Sequence, residues 1–324
     1  MKQLAHNRHL LNAFKLALGL LLLYLSIKTV EWGILTEALA TISPLWLWLA
    51  VLSVLLSLAL KVWRWDVLLR NYQIRLPLVK LISAFFLGQA ANILLIIRGG
   101  EVVRIGAAHQ PEEDDWLAIT ATIAIEKYLD LLMLVVLMLI SVNNLPPLAV
   151  EKLGSLRIFI ILLTLILFLM VVFGPFLWQK FSTGGNHPAW FEKIQPKIDR
   201  FIQASLWLKD LQRLSPMLVF TIAIWVVMAV TNLLVFQSLS IQLNWDAAVL
   251  VLILIYLGVL PALMPGNIGP FTFFAQLALI PFAVENELAL AFAIILYVIV
   301  TLPPLLLAGL MMLLPTKKKL RGTG

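Results

Sequence analysis

Nine apolar segments, 10–27, 45–65, 78–97, 116–141, 156–178, 217–239, 247–263, 270–282 and 288–314, fill most of the chain. Several reach the roughly 18 residues that span a hydrocarbon core. Hydrophobic residues make up 62% of the sequence and charged residues 13%, against roughly a quarter charged in soluble domains. An all-α integral membrane protein is therefore expected, forming one membrane domain over 1–324. The basic start (Lys2, Arg8, Lys15) before an apolar run imitates a secretory signal, but no small-residue cleavage site follows, so an uncleaved first helix is expected. With no cysteine, disulfides and thiolate metal sites are excluded.

Lysine and arginine decide which segments cross, because cytoplasmic loops near membrane ends collect positive charge. The clusters are Lys61 to Lys80, Lys180 to Arg213 and Lys317 to Arg321. If every segment before Lys180 crossed, starting from a cytoplasmic N-terminus, the loop after Lys180 would lie outside. A re-entrant hairpin made of 78–97 and the following glycine-rich stretch returns that loop to the cytoplasm. A second hairpin, 247–263 with 270–282 entering from the outer face, does the same for the C-terminal tail. This gives a polytopic helical bundle with six full crossings, two re-entrant broken-helix hairpins and both termini cytoplasmic. Of 24 basic residues, 20 fall on the cytoplasmic side; Lys28, Lys152 and Arg157 lie outside, and Lys127 sits within a helix. Helix, hairpin, helix runs over 45–141 and again over 217–314 with opposite orientation. Such an inverted repeat of broken helices points to a transporter with its site between the repeats. The segment 179–215 is read as a cytoplasmic linker. Within it 190–208 alternates Phe191, Ile194, Ile198, Phe201, Ile202 and Leu206 with Lys193, Lys197 and Arg200, an amphipathic surface helix that either attracts anionic lipid or only joins the repeats.

The hairpin tips are Gly99-Gly100 and the MPGNIG stretch with Gly266, Asn267 and Gly269. Glycine permits a sharp reversal, and Pro270 suits the first turn of a new half-helix. A half-helix N-terminus favours an anion such as a lipid phosphate, and both tips are placed to face one headgroup. The competing reading makes both stretches plain loops between full crossings.

In AIEKYLDLLML, Glu126 lies ten residues after the interface anchor Trp116, about 15 Å deep. Asp130 is one turn further on the same face, and Lys127 is spaced to pair with Asp130, leaving one carboxylate over. Intramembrane charges face the bundle interior with partners, and Arg98, Arg104, Lys61 and Arg64 are the available cations. The same charges also suit a purely stabilising network that pins the first hairpin to this helix. The acidic run Glu112 to Asp115 is read as a helix start before Trp116. His6, His9, His109 and His187 fall in predicted loops without ligand spacing, so neither a metal nor any other cofactor is expected. No nucleic-acid motif is present.

Four blocks resemble the flippase-like transmembrane family formed by the lysylphosphatidylglycerol synthase membrane region and its stand-alone relatives, over nearly the whole chain. They are Arg64-Trp65 with Leu68-Leu69, the Arg98 to Glu101 block with Arg104, the Glu126 to Asp130 block, and the Pro265 to Phe271 block. The sequence departs from the family pattern in three places. Ile96 and Ile97 stand near where a proline precedes the Gly-Glu block, Lys127 replaces an arginine, and Thr272 replaces a glutamate. The resemblance implies a protein that moves phospholipids, or other lipids with charged headgroups, between leaflets. The family's best-known members carry a soluble aminoacyl-transferring domain after the membrane part; these residues hold none, so lipid aminoacylation is not expected of them.

The expected substrate site comprises Arg64, Arg98, Gly99, Gly100, Glu101, Arg104, Glu126, Asp130, Gly266, Asn267, Gly269 and Thr272, with no catalytic residue. Its ligand is a membrane lipid, anionic or aminoacylated, and a bacterial inner membrane is the expected location. Two alternatives stay open: a membrane-embedded lipid-modifying enzyme with Glu101 or Glu126 as base, and a non-transporting scaffold for a lipid-synthesis partner protein.

Overall fold

The computed structural model describes residues 2–95, 99–110, 116–144, 210–261 and 263–313, with seven isolated positions between 158 and 180. The described residues are helical, without strands. Among the described residues ten α-helices have defined bounds, in order: α1 (Lys2–Ile27), α2 (Trp32–Ala40), α3 (Pro44–Asn71), α4 (Leu78–Leu94), α5 (Gly100–Ala108), α6 (Trp116–Asn144), α7 (Leu211–Ser238), α8 (Trp245–Val259), α9 (Ile268–Leu279) and α10 (Asn286–Leu313). Local chemistry sets several starts. Pro44 opens α3, Pro77 precedes α4, and the Asp210 carboxylate caps α7 through the Gln212 N–H at 3.0 Å.

Three described helices, α3, α7 and α10, are long and apolar enough to cross a membrane, and α1 with α2 makes a fourth if that pair, bent by 81°, is one span. The length of α6 also suffices at 29 residues, but Glu126, Lys127 and Asp130 interrupt its apolar run. The helix α2 was not foreseen: the bend turns this short piece away from α1, and it rests on α10, where Glu31 N–H donates to Glu287 at 3.1 Å. Most of the segment 156–178, and all of the run Glu112 to Asp115, the amphipathic stretch 190–208 and Arg98, lie outside the described residues.

The long helices pack antiparallel. Ser43 N–H donates to Ser238 O at 2.8 Å, Ser53 and Thr231 hydroxyls meet at 2.7 Å, and Arg64 reaches Thr221 at 3.1 Å, so α3 and α7 run in opposite directions along their length. Outward faces are apolar: on α3, Trp48, Leu52, Leu56 and Trp63 are exposed while Ala50, Val54, Leu58 and Trp65 are buried. That polarity suits hydrocarbon as the surrounding solvent.

Between the long helices lie two helical hairpins. In the first, α4 and α5 lie side by side, and the Lys80 ammonium donates to the His109 carbonyl at 2.7 Å, so the hairpin returns to the end from which it set out. With nine residues, α5 is about 14 Å long, half of a hydrocarbon core. In the second, α8 and α9 pack with Gly258 against Phe274. The hairpins also reach across the chain: α4 lies on α10, and α8 lies on α6 as well as on α7.

The two tips solve the reversal differently. Gly266 has φ +67° and Asn267 φ +50°, left-handed conformations that glycine and asparagine tolerate best. Gly99 is at φ −97°, an ordinary value, so the Gly-Gly pair is not there for a left-handed turn. Its role lies at Gly100, whose Cα sits directly against the Gly88 carbonyl and the Asn92 side chain, leaving no room for a Cβ. A methyl group on Gly266 would meet the Tyr297 hydroxyl at 2.5 Å as well as strain the backbone. Gly266→Ala is therefore expected to lower stability by at least about 1 kcal/mol in thermal unfolding. The loss should be smaller in a Tyr297→Phe background, where the clashing oxygen is gone.

Candidate functional site

The charged side chains of α3, α5 and α6 converge on one buried cluster. Glu126 is 4% exposed, Arg104 5% and Arg64 0%. Arg104 forks both carboxylate oxygens of Glu126, at 3.1 and 2.8 Å. Arg64 forks Asp130, at 2.8 and 3.1 Å, and also stands 3.8 Å from Glu126. Guanidinium and carboxylate are both planar, and this two-bond geometry is the strongest form of their pairing. The Arg104 guanidinium also lies 3.8 Å from the centre of the Trp65 ring and 4.9 Å from that of Phe85, so its plane is held on aromatic faces.

Helical spacing makes this convergence possible. Glu126 and Asp130 are one turn apart on α6, so α5 meets the first and α3 the second. Thr221 and Trp225 of α7 complete the shell: the Thr221 hydroxyl accepts from Arg64, and the Trp225 indole N–H donates to Asp130 at 3.4 Å. Four helices are thereby tied at one level.

The expected pairing within α6 is corrected by these contacts. Lys127 does not pair with Asp130; its ammonium reaches Glu101 of α5 at 3.3 Å, and Asp130 belongs to Arg64. No carboxylate is left over. The spacing along one helix had suggested the pair, but residues 126 and 127 point to different neighbours, and bidentate arginine from another helix is the stronger partner for Asp130.

At the first tip, the Asn92 side chain accepts from Gly100 N–H at 3.0 Å and donates to Glu101 at 3.2 Å. The start of α5 is therefore already capped from within. At the second tip, Asn267 Oδ1 accepts from Leu263 N–H at 3.0 Å. Gly266 sits beside the end of α4, since a methyl there would lie 3.9 Å from the Ile93 carbonyl oxygen. The tips do meet. Gly269 and Thr272 are turned the other way, onto α1: Gly269 abuts the Gly19 carbonyl, and the Thr272 hydroxyl lies 3.4 Å from Ser26 while donating to the Ile268 carbonyl of its own helix.

The structure thus brings Arg64, Glu101, Arg104, Glu126 and Asp130 together, with Gly99 and Gly100 at the adjoining tip. It sets Gly266 and Asn267 at the opposing tip and places Gly269 and Thr272 behind it. What the sequence reading did not assemble is a cavity of about 300 Å³ between the halves, lined from α3, α4, α7, α8, α9 and α10. Its polar lining is Ser57, Lys61, Gln89, Thr231, Asn232 and Tyr256. Lys61 precedes Arg64 by one turn of α3, which was a signal in the sequence, but no pattern along the chain brings Gln89 and Asn232 to it.

No curated protein matches the chain in sequence. The profile of the lysylphosphatidylglycerol synthase TM region family matches residues 12–309, which takes in every element described above except the extreme ends. With that match over most of its length, the chain belongs to the family of the lysylphosphatidylglycerol synthase TM region, membrane domains associated with lipids.

Proposed function

We propose that the protein moves a phospholipid between membrane leaflets, passing the headgroup through the space between its two halves while the acyl chains stay in lipid. The observation that carries this reading is the cavity walled by both halves and by elements of both hairpins. A site between repeats, beside broken helices, is where transporters of inverted-repeat architecture hold their substrates. The matched helix orders α3 to α6 and α7 to α10, and the packing of α4 on α10, support an inverted repeat over 45–141 and 217–314, and the distribution of lysine and arginine supports six crossings with cytoplasmic termini.

The described carboxylates of the cluster speak against a lipid-modifying enzyme built on Glu101 or Glu126. Each is engaged by a cation or an amide, so neither is free to take a proton from a substrate. The test is reconstitution of the purified chain in vesicles carrying labelled phospholipids. Leaflet exchange is expected to exceed that of empty vesicles, with no new lipid species by mass spectrometry. Exchange equal to that of empty vesicles would remove the transport reading, and a new lipid species would select the enzyme.

A further inference from the structure

We propose that the cavity between the halves is a binding site for a phosphodiester monoanion whose remaining headgroup is polar but uncharged, with Lys61 as the ligand of its phosphate. This rests on the transport reading for the place of the site in a cycle, and on the cavity's own chemistry for its selectivity.

Arg64 and Arg104 in the buried cluster, and the more exposed Lys127 beside it, face Asp130, Glu126 and Glu101, each cation against a carboxylate. The cluster is balanced without any ligand. Lys61, one turn before Arg64 on the same helix, stands next to this balanced set and contributes one further positive charge to the cavity lining. Among the described residues it has neither a hydrogen-bond nor an ion-pair partner; the Asp130 and Glu126 carboxylates act on it from a distance, but both are already engaged by Arg64 and Arg104. No aspartate or glutamate lines the cavity. A lone cation in an apolar setting is costly until an anion joins it, and one charge calls for one countercharge.

The other lining groups describe the rest of the ligand. Asn232 donates its Nδ2 to the Ala248 carbonyl at 2.9 Å, which leaves its Oδ1 as an acceptor, and the Gln89 amide has no partner among the described residues. The Ser57 hydroxyl donates to the Val54 carbonyl at 2.8 Å and retains acceptor capacity. Such groups meet hydroxyls, as in a glycerol headgroup. They do not neutralise an ammonium. A headgroup that carries an amine, and above all one with an added lysine, would have to place positive charge beside Lys61 with no carboxylate in the lining to receive it. At about 300 Å³ the space is at the lower limit of small-molecule sites, large enough for a headgroup and too small for acyl chains.

The experiment measures binding to the full chain in detergent by native mass spectrometry, with short-chain phosphatidylglycerol, phosphatidylethanolamine and lysylphosphatidylglycerol, and with the acyl-free diester glycerophosphoglycerol. The wild type is expected to favour phosphatidylglycerol over both amine lipids by roughly tenfold or more, the weight of a charge-assisted hydrogen bond. Lys61→Met should abolish that preference and Lys61→Arg should keep it, with both variants monodisperse and melting near the wild type. Lys61→Glu should turn the preference towards lysylphosphatidylglycerol, which tests the charge argument independently of affinity. Competition by glycerophosphoglycerol equal to that of the lipid would support the same chemistry with a soluble ligand, and much weaker competition would support it with a lipid. A folded Lys61→Met that keeps the wild-type preference, or a wild type that prefers the amine lipids, overturns the proposal. Leaflet exchange is read separately. A wild type that binds with this selectivity but exchanges nothing loses the transport reading alone, and one that exchanges lipid with a preference indifferent to Lys61 loses this inference alone.

Discussion

Glu126→Ala is expected to destabilise the folded protein by about 3–5 kcal/mol, the cost of leaving a buried charge without its partner. The substitution removes both acceptors of the Arg104 fork and the oxygen 3.8 Å from Arg64. Arg104 cannot escape to water: it is 5% exposed, its Nε already lacks an acceptor, and its plane is pressed on Trp65. Glu126→Gln keeps the shape and one acceptor, so its loss should be clearly smaller. The measurement is reversible unfolding in mixed detergent micelles. A loss for Glu126→Ala below about 1 kcal/mol, as found for solvated pairs, would show that the cluster is open to water. Leaflet exchange measured on whichever variant stays folded then separates stabilising charges from charges that act on a substrate.

Gly100→Ala is expected to cost about 1–3 kcal/mol or more, by overpacking where backbone meets backbone. A Cβ at Gly100 would run into the Gly88 carbonyl and the Asn92 amide, and neither can rotate aside, since Asn92 is held by Gly100 and Glu101. The reciprocal position is nearly as close: a Cβ on Gly88 would lie 2.8 Å from Arg104 Cβ and 2.9 Å from the Gly100 carbonyl. Parting α4 from α5 would also draw Arg104 off Trp65 and weaken its fork on Glu126. Gly106→Ala is the control, because a Cβ there meets nothing within 4 Å. Thermal unfolding of the two variants should differ by several degrees, and equal melting would mean that the hairpin is not packed as described.

Helix existence was legible because lipid as solvent demands long apolar runs. The run 45–65 lies within Pro44–Asn71, and 288–314 nearly coincides with Asn286–Leu313. Ends were less legible where polar residues continue a helix: Arg70 and Asn71 extend α3 beyond its apolar part, with Arg70 paired to Asp66 at 2.9 Å. The helix α2 was missed because Trp32–Ala40 is too short for a span and mixes Thr36 and Glu37 into its apolar residues. Contacts between elements were read worst. Spacing shows which residues share a face, but the partner of Asp130 is Arg64, 66 residues away, and the partner of Lys127 comes from α5. The glycine pair at 99–100 was read as a turn, whereas the demand is for close helix approach at Gly100. The cavity was invisible for the same reason, since its lining comes from six helices that meet only in the folded chain.

The two hairpins are fastened by different kinds of contact. The first is bolted to α6 by Arg104–Glu126 and Glu101–Lys127. The second touches its surroundings without an ion pair among the described residues: Gly269 and Met264 lie against Gly19 of α1, Tyr256 packs on the Trp225 ring at 4.7 Å, and Asn232 donates to the Ala248 carbonyl. Dispersion contacts between small residues reform after a shift of a few ångströms, while a separated ion pair in hydrocarbon does not find a substitute. In the proposed transport cycle, α8 and α9 are therefore the pair expected to shift at the lower cost, while α4 and α5 stay anchored to α6 by their charges.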